Sequence, residues 1–562
     1  MRLPGGGSPW VLGAAVFVGL VLRLWGLDFG LPNTAARPDE SVLVHRALAI
    51  AAGQLNPHFF NYPSFHLYLL SFVFGLYYVL AYLAGVIDGT QTFLLRFLLD
   101  PSDIYLAGRA LTALMGTATV VCCWRLGRAL GGVPTATAAA VLSAPVFLHV
   151  RDSHFLTVDV PATFWTTASL VCLVVYGQHG GRRRLILGAV LIGMAMSTKY
   201  NAALFLPAMI LAVWRSPDGD RCRRTALALG LAATGFLCGS PFIALDPFGF
   251  WRDFLFEWQH FGRGHTGQQL GNGWFYHLTF TLRHGLGLPL LLTSLASLGL
   301  LAWRRRPGDL VLLTAVTAYF AVAGGGESLF VRYAMPLVPL LCVAAAAGLA
   351  HAADQRMAIV IPASLIVVAP SAMVAIDHDR LLAREDTREQ ARRWIEAEVA
   401  SGSRIALTGS DYGYPRLRPT REWLQKRWQE VRRAGEQGRR LRLALDLPGY
   451  PPAPVFDLVE LKGASKPEFT SIWPSESVQA LRSSGVDWLV VQSHPLDYAA
   501  RPTALAGELA HLSPVAEFSP GPPEALAQAA FDRLDAYFVP FAGHDGVLYP
   551  GPHLSVYQLG SP

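Results

Sequence analysis

Arg37-Pro38-Asp39-Glu40 sets two adjacent carboxylates where a helix would begin, because proline suits a first turn and acids favour its positive end. A carboxylate so placed can take a proton from a hydroxyl; it can equally be a plain helix cap on an exposed loop. Asp159, in Arg151-Asp152-Ser153-His154-Phe155-Leu156-Thr157-Val158-Asp159-Val160-Pro161, is expected two or three residues into an apolar helix. An unpaired carboxylate there is costly, so it reads as functional, or as the partner of a neighbouring arginine. Lys199, in Ser197-Thr198-Lys199-Tyr200-Asn201, and Arg332, before Tyr333, stand at the outer ends of apolar segments. Each alone is an ordinary snorkelling anchor. Together with the acids, the two make a phosphate clamp beside a general base. Asn61-Tyr62-Pro63-Ser64 precedes an aromatic run, Phe65 to Tyr78, of the sort that forms an interfacial belt. Residues 256–267, with Glu257, His260, Arg263 and His265, then Trp274 to Tyr276, suit a sugar or headgroup site with aromatic platforms, or a plain interfacial loop. Two histidines do not make a metal site.

The elements that must hold these residues are apolar. Of the 562 residues 52% are hydrophobic and 15% charged, well short of the roughly 25% charged residues of a soluble domain, which excludes a soluble multidomain enzyme. Apolar runs fill residues 10 to 376, many of them close to the roughly 20 residues that cross a hydrocarbon core. Beyond Ile376 the composition is that of a water-soluble fold, giving a membrane region, 1–376, and a tail, 377–562. The net charge of +6 comes from basic loops and is no argument for nucleic acid. The six cysteines suggest no disulfide or metal framework. The first run, after Arg2 and without a small-residue cleavage site, reads as a retained helix.

Spans are expected near 10–29, 105–124, 133–150, 157–177, 185–198, 200–214, 225–243, 284–303, 309–323, 333–350 and 357–376. These eleven put the basic loops at 124–128, 182–184, 215–224 and 304–306 in the cytoplasm with the N-terminus, and the tail outside. Residues 64–104 either lie along the interface or add a pair of spans, making thirteen. Lys199 falls in a turn between two short helices, and nearly all the unusual polar residues fall on the outer side. In the tail, helices are expected at Thr387 to Ala400, Arg421 to Arg433 and Ser475 to Ser483, and strands at Arg404 to Thr408, Trp488 to Gln492 and Leu554 to Leu559, a small α/β domain. The basic run Arg421 to Arg442 is a solvated helix face or a surface for an acidic glycan or headgroup.

In this order the motifs resemble the GT-C superfold of lipid-phosphate-sugar glycosyltransferases, in the family-39-like branch of protein O-mannosyltransferases and lipid A aminoarabinose transferases. Pro38-Asp39-Glu40 is similar to that family's first extracytoplasmic loop, Tyr62-Pro63 to its juxtamembrane segment, and Thr157 to Pro161 to its acidic helix start. Ser197-Thr198-Lys199 resembles its Thr-Lys-Gly turn, Glu257 to Arg263 its loop with Glu, His and Arg, and Arg332-Tyr333-Ala334-Met335-Pro336 its late Arg-Tyr motif. The resemblance implies Asp39 as catalytic base, Glu40 orienting acceptor or base, and Asp159 organising the site or the acceptor. It implies Lys199, Arg332 and Arg263 on the donor phosphate, with Tyr62, Tyr200, Glu257, His260 and Tyr333 lining the substrate. The aminoarabinose branch has a lysine before its proline where this chain has Tyr62, so that motif here brings no cation to the phosphate.

The implied reaction moves a sugar from a polyprenyl-phosphate donor in the bilayer to a protein, lipid or glycan acceptor outside the cytoplasmic or inner membrane. A carboxylate to activate the acceptor and fixed cations to stabilise the leaving phosphate suffice for it. No Gly-rich nucleotide loop is present and no cofactor is required; a divalent metal is compatible. A lipid or solute transporter or flippase also places charges in membrane helices, but it predicts inverted repeats and acids at the midplane, and neither is visible. A polytopic scaffold would leave Asp39, Asp159 and Lys199 without a common purpose.

Overall fold

The computed structural model describes residues 9–264, 269–433, 438–461, 477–496 and 504–560. Among them, helices occupy most of the chain up to Leu382. Each apolar stretch expected to span coincides with helix, although the boundaries differ instructively. The stretches 105–124 and 133–150 begin in one run, Ser102–Ser143, whose break falls at Gly131 and Gly132 (φ −151° and 78°) just before Pro134. The basic residues 124–128, expected as a loop, therefore continue the helix, because Arg, Leu and Trp sustain helical backbone and the glycine pair does not. Among the described residues, by length and composition, four helical runs can cross a membrane: Phe65–Leu83, Ser102–Ser143, Asp159–His179 and Met357–Glu398. The pair Gly273–Leu286 and Leu288–Arg304, bent by 117°, is a fifth candidate, and Pro9–Leu24, Tyr200–Arg215, Pro307–Ala323 and Leu337–Ala352 are apolar but shorter.

The chain divides into two compact units, one of Met1–Leu27, Val42–Gly75 and Ala107–Arg380, the other of Asp28–Ser41, Leu76–Leu106 and Leu381–Pro562. In the first, Asp159–His179, Arg182–Met196 and Arg221–Gly239 pack closely. Small residues permit this: a Cβ on Gly193 would lie 2.3 Å from the Ala232 carbonyl oxygen, and one on Gly235 2.8 Å from that of Val190. Fully buried Arg23 ties Pro9–Leu24 to the segment leading to Asp159. Its guanidinium donates to the carbonyls of Gly19 and Ala144, both 2.8 Å away, and to Ser153 Oγ at 3.2 Å, and it lies 3.0 Å from His149 Nδ1. A buried cation so fully hydrogen-bonded holds two segments in register instead of destabilising them.

The second unit contains a five-stranded sheet built from β1 (Arg404–Thr408), β2 (Asp457–Leu461), β3 (Trp488–Ser493), β4 (Ala516–Phe518) and β5 (His553–Gln558), in the order β2-β1-β3-β5-β4. β1 pairs in parallel with β2 and β3, and β5 antiparallel with β3 and β4. The strand period of two sends Ile405 and Leu407 to one face, against Ala391 and Ile395 of helix Thr387–Glu398, and Ala406 to the other, with Val478, Leu481, Leu505 and Leu509. Helix Thr387–Glu398 is capped by Asp386, whose side chain accepts from the Arg388 N–H at 2.9 Å. The three expected strands correspond to β1, β3 and β5, and β2 and β4 add to them. Of the helix expected at 475–483, Val478–Ser483 is described, and residues 475 and 476 lie outside the described residues.

Candidate functional site

In the first unit Asp159 is the first residue of helix Asp159–His179, not two or three residues into it as expected, so its carboxylate sits at the positive end of the helix. Lys199 precedes the short helix Tyr200–Phe205. Its Nζ lies 2.6 Å from Asp159 Oδ1, with the two side chains 12% and 5% exposed. The same ammonium lies 4.9 Å from the centre of the Tyr333 ring. Tyr333 is fixed from behind, because the buried Tyr319 hydroxyl donates to its carbonyl at 2.9 Å and accepts from Asn201 Nδ2 at 2.7 Å. Tyr319 is stacked on Phe205 at 5.2 Å. The lysine turn and the late Arg-Tyr motif, far apart in the chain, thus meet at Lys199 and Tyr333. Arg332, largely buried, has its guanidinium 4.1 Å from the centre of the Phe330 ring.

The segment from Phe256 to Arg263, expected as a loop, is the end of a helix, Pro247–Arg263. Its apolar residues Phe248, Trp251, Leu255 and Trp258 follow helical spacing, a signal masked in the sequence by the glycines and histidines downstream. On this helix Asp253 accepts from the Phe60 N–H at 2.9 Å and Glu257 accepts from Asn61 Nδ2 at 2.7 Å, while Asp246, its cap, accepts from Asn56 Nδ2 at 3.0 Å. Tyr200 also holds the 56–61 segment, donating to the Phe60 carbonyl at 2.8 Å. Tyr62, next along, meets Phe59 edge-on at 5.9 Å. At the other end of the helix, the His260 carbonyl accepts from Ser328 Oγ at 2.6 Å, the His260 ring is 6.3 Å from Phe330, and Phe261 is 6.4 Å from Tyr333. Lys199, Asp159, Tyr200, Tyr333, Arg332, His260, Glu257 and Tyr62 therefore form a connected set in this unit, whereas Arg263 is exposed at the helix terminus. His265 lies outside the described residues.

Asp39 and Glu40 belong to the second unit. Helix Glu40–Ala51 starts at Glu40 and not at Pro38, and Asp39 just before it has the left-handed φ of 73°. Such backbone is tolerated best by short polar side chains, and it persists where surroundings enforce it. Those surroundings are visible: Arg37, 1% exposed, donates to Asp535 at 2.7 Å and lies 5.6 Å from the Tyr537 ring centre, while Asn33 donates to the Tyr414 carbonyl at 2.9 Å. Glu40 is fully buried. Burial, followed by the negative charge of Asp39, pushes the Tyr412 hydroxyl up to about 12, so that side chain stays a neutral hydrogen-bond donor near Asp39. The turn before Arg37 needs its glycine, since Gly30 has φ 66° and a Cβ there would lie 2.2 Å from that of Ala36. Sequence reading missed Asp535, Tyr412, Tyr319 and Asn61 as supports; nothing in the local pattern marks a partner 498 residues away. Among the described residues no group of three or more His, Cys, Asp or Glu is placed to hold a metal ion.

With this geometry in hand, residues 102–244 match the family model described as dolichyl-phosphate-mannose-protein mannosyltransferase. The undecaprenyl phosphate-alpha-4-amino-4-deoxy-L-arabinose arabinosyl transferases of Pseudomonas aeruginosa strain UCBPP-PA14 and of Pseudomonas paraeruginosa are each 27% identical over 366 residues. The match spans 60% of this chain and 60% of each relative's length. The ArnT of Cupriavidus metallidurans, solved with undecaprenyl phosphate bound, has the same fold at a TM-score of 0.52 and 14% identity, over 99% of this chain and all of that one (100%). The chain shares its fold with that ArnT, and its residues 102–244 are similar to the mannosyltransferase family model. The matched residues include both Asp159 and Lys199.

Proposed function

We propose that this chain is a GT-C, family-39-like glycosyltransferase that moves a sugar from a polyprenyl-phosphate donor to an extracytoplasmic acceptor. The observation that carries the reading is the Lys199 cluster: an ammonium held by Asp159 at 2.6 Å against a tyrosine ring, with Arg332 adjacent to that tyrosine in the chain. Fixed cations of this kind stabilise the charge that develops on a departing phosphate without reorganising at the moment of reaction. The names of the relatives, which are transferases acting from undecaprenyl phosphate or dolichyl phosphate, support the donor class.

In the proposed reaction the acceptor hydroxyl attacks the anomeric carbon and passes its proton to Asp39, with Glu40 orienting base or acceptor. The bond from the anomeric carbon to the phosphate oxygen breaks, and its electron pair leaves with the polyprenyl phosphate, which Lys199 and Arg332 receive and Arg263 approaches. Tyr62, Tyr200, Glu257, His260 and Tyr333 line the substrate. The chain crosses the cell or inner membrane eleven to thirteen times, its N-terminus in the cytoplasm and its tail, 377–562, outside as a soluble α/β domain. The test is release of polyprenyl phosphate by purified protein supplied with radiolabelled polyprenyl-phosphate sugars and a membrane extract as acceptor source. Label transferred from at least one donor is expected; absence of release across hexose and pentose donors would sink the reading.

A further inference from the structure

A cavity of about 470 Å³ is lined wholly by residues of the second unit, none of them among the site residues named above. That volume is in the range of small-molecule sites. Its lining mixes two chemistries. The apolar part comes from Leu98 and Leu99 at the end of helix Thr90–Leu99, Leu424 of helix Arg421–Arg433, and Leu441 and Ala444 of helix Arg439–Asp446. The charged part is three guanidinium groups, Arg392, Arg416 and Arg418, with the carboxylates of Glu396 and Asp100.

The carboxylates are already committed. Glu396 serves two arginines at once, accepting from Arg392 at 2.6 Å and from Arg418 at 3.2 Å. Asp100 caps the next helix by accepting from the Ser102 N–H at 2.9 Å. Arg392 is further fixed by Glu389 at 2.7 Å, and Arg416 donates to the carbonyls of Pro32 and Leu98. Arg418, 29% exposed, gives one N–H to Glu396 and has further N–H groups in its fork that a ligand can engage. Guanidinium groups held beside apolar side chains recognise an anionic head carrying hydrocarbon.

We propose that this cavity binds the phosphate-bearing head and first apolar carbons of an anionic amphiphile. The experiment uses the full-length protein in maltoside detergent and calorimetric titration with dihexanoyl phosphatidic acid, inorganic phosphate and dihexanoyl phosphatidylcholine. Saturable binding of the phosphatidic acid is expected, weakened at least about tenfold by Arg418→Gln through loss of charge-assisted hydrogen bonds. Leu441→Trp, which fills the apolar side, is expected to weaken it as well, and it carries the test alone should Arg418→Gln fail to fold. Inorganic phosphate and the zwitterionic lipid are expected to bind more weakly. Equal binding by wild type and both variants, phosphate binding as tight as the lipid's, or no saturable binding would each overturn the proposal.

Discussion

Lys199 has its ammonium 2.6 Å from Asp159 and 4.9 Å from the Tyr333 ring centre, and both side chains of the ion pair are nearly buried. An anchor that merely snorkels keeps its head in water, whereas this head is enclosed by a carboxylate and an aromatic face. Two consequences follow from treating the pair as one unit. Lys199→Ala should lower sugar transfer by about 10²- to 10³-fold, as loss of one oxyanion-stabilising donor does elsewhere. Asp159→Asn should lower it too, and the double variant should be no slower than Lys199→Ala, a non-additivity read from initial rates. Stability should behave in the same way: each single change leaves a largely buried charge without its partner, at a cost of about 3–5 kcal/mol, and Asp159→Asn with Lys199→Met should unfold at a higher temperature than either alone. The types and spacing of these residues were legible in the sequence, as was the turn that carries the lysine. Their pairing was not, because 40 residues separate them and each had a bland explanation of its own.

At the scale of elements, the helix Pro247–Arg263 and the segment 56–61 are coupled by Asp246, Asp253 and Glu257. The helix has no buried residue, so these polar contacts, together with Phe250 and Phe254 against Tyr200, hold it in place. Asp253→Asn combined with Glu257→Gln should weaken them. Faster amide hydrogen exchange at Phe59 to Asn61 is the expected readout, since local opening free energy follows local contacts. Sequence reading took the region for a loop because its Gly, His and Arg content dominated, although Phe248, Trp251, Leu255 and Trp258 already had helical spacing. In the tail, β1, β3 and β5 were visible as apolar runs, but β4 has only three residues and β2, Asp457–Leu461, mixes two acids with its leucines and valine. A strand that short has no period to detect.

His494 makes a pH-dependent element. Its ring sits edge-on to Phe531 at 4.6 Å and to Phe538 at 4.9 Å, and its Nδ1 accepts from the Leu496 N–H at 3.1 Å, which requires the neutral ring. Burial, with the positive charge of Arg388 second, lowers its pKa from 6.5 to about 3. Below pH 6.5 the unfolded chain takes up a proton that the folded chain refuses, so stability is full above 6.5 and falls as the pH drops towards about 3. Thermal unfolding of the protein between pH 7 and pH 4 should show this decline, and His494→Phe should make it shallower.

For the whole molecule, the most distant pairing is the most informative. Arg37 and Asp535 are both buried and 2.7 Å apart, so the first acidic motif is built onto the end of the chain. Asp535→Asn should lower the unfolding temperature, at a cost of about 3–5 kcal/mol for a buried ion pair losing one partner. The membrane character was readable from composition and run length, because a bilayer imposes both. The joining of residues 28–41 and 76–106 to the tail in one compact unit was not, since long-range packing leaves no local pattern.

The central claim is that Asp39 takes the acceptor's proton as the sugar leaves its lipid phosphate. Purified Asp39→Asn protein, shown to retain the wild-type unfolding temperature, is mixed with a radiolabelled polyprenyl-phosphate sugar and acceptor, and free polyprenyl phosphate is counted over time. The account predicts loss of nearly all release while the donor still binds; release at the wild-type rate would contradict it.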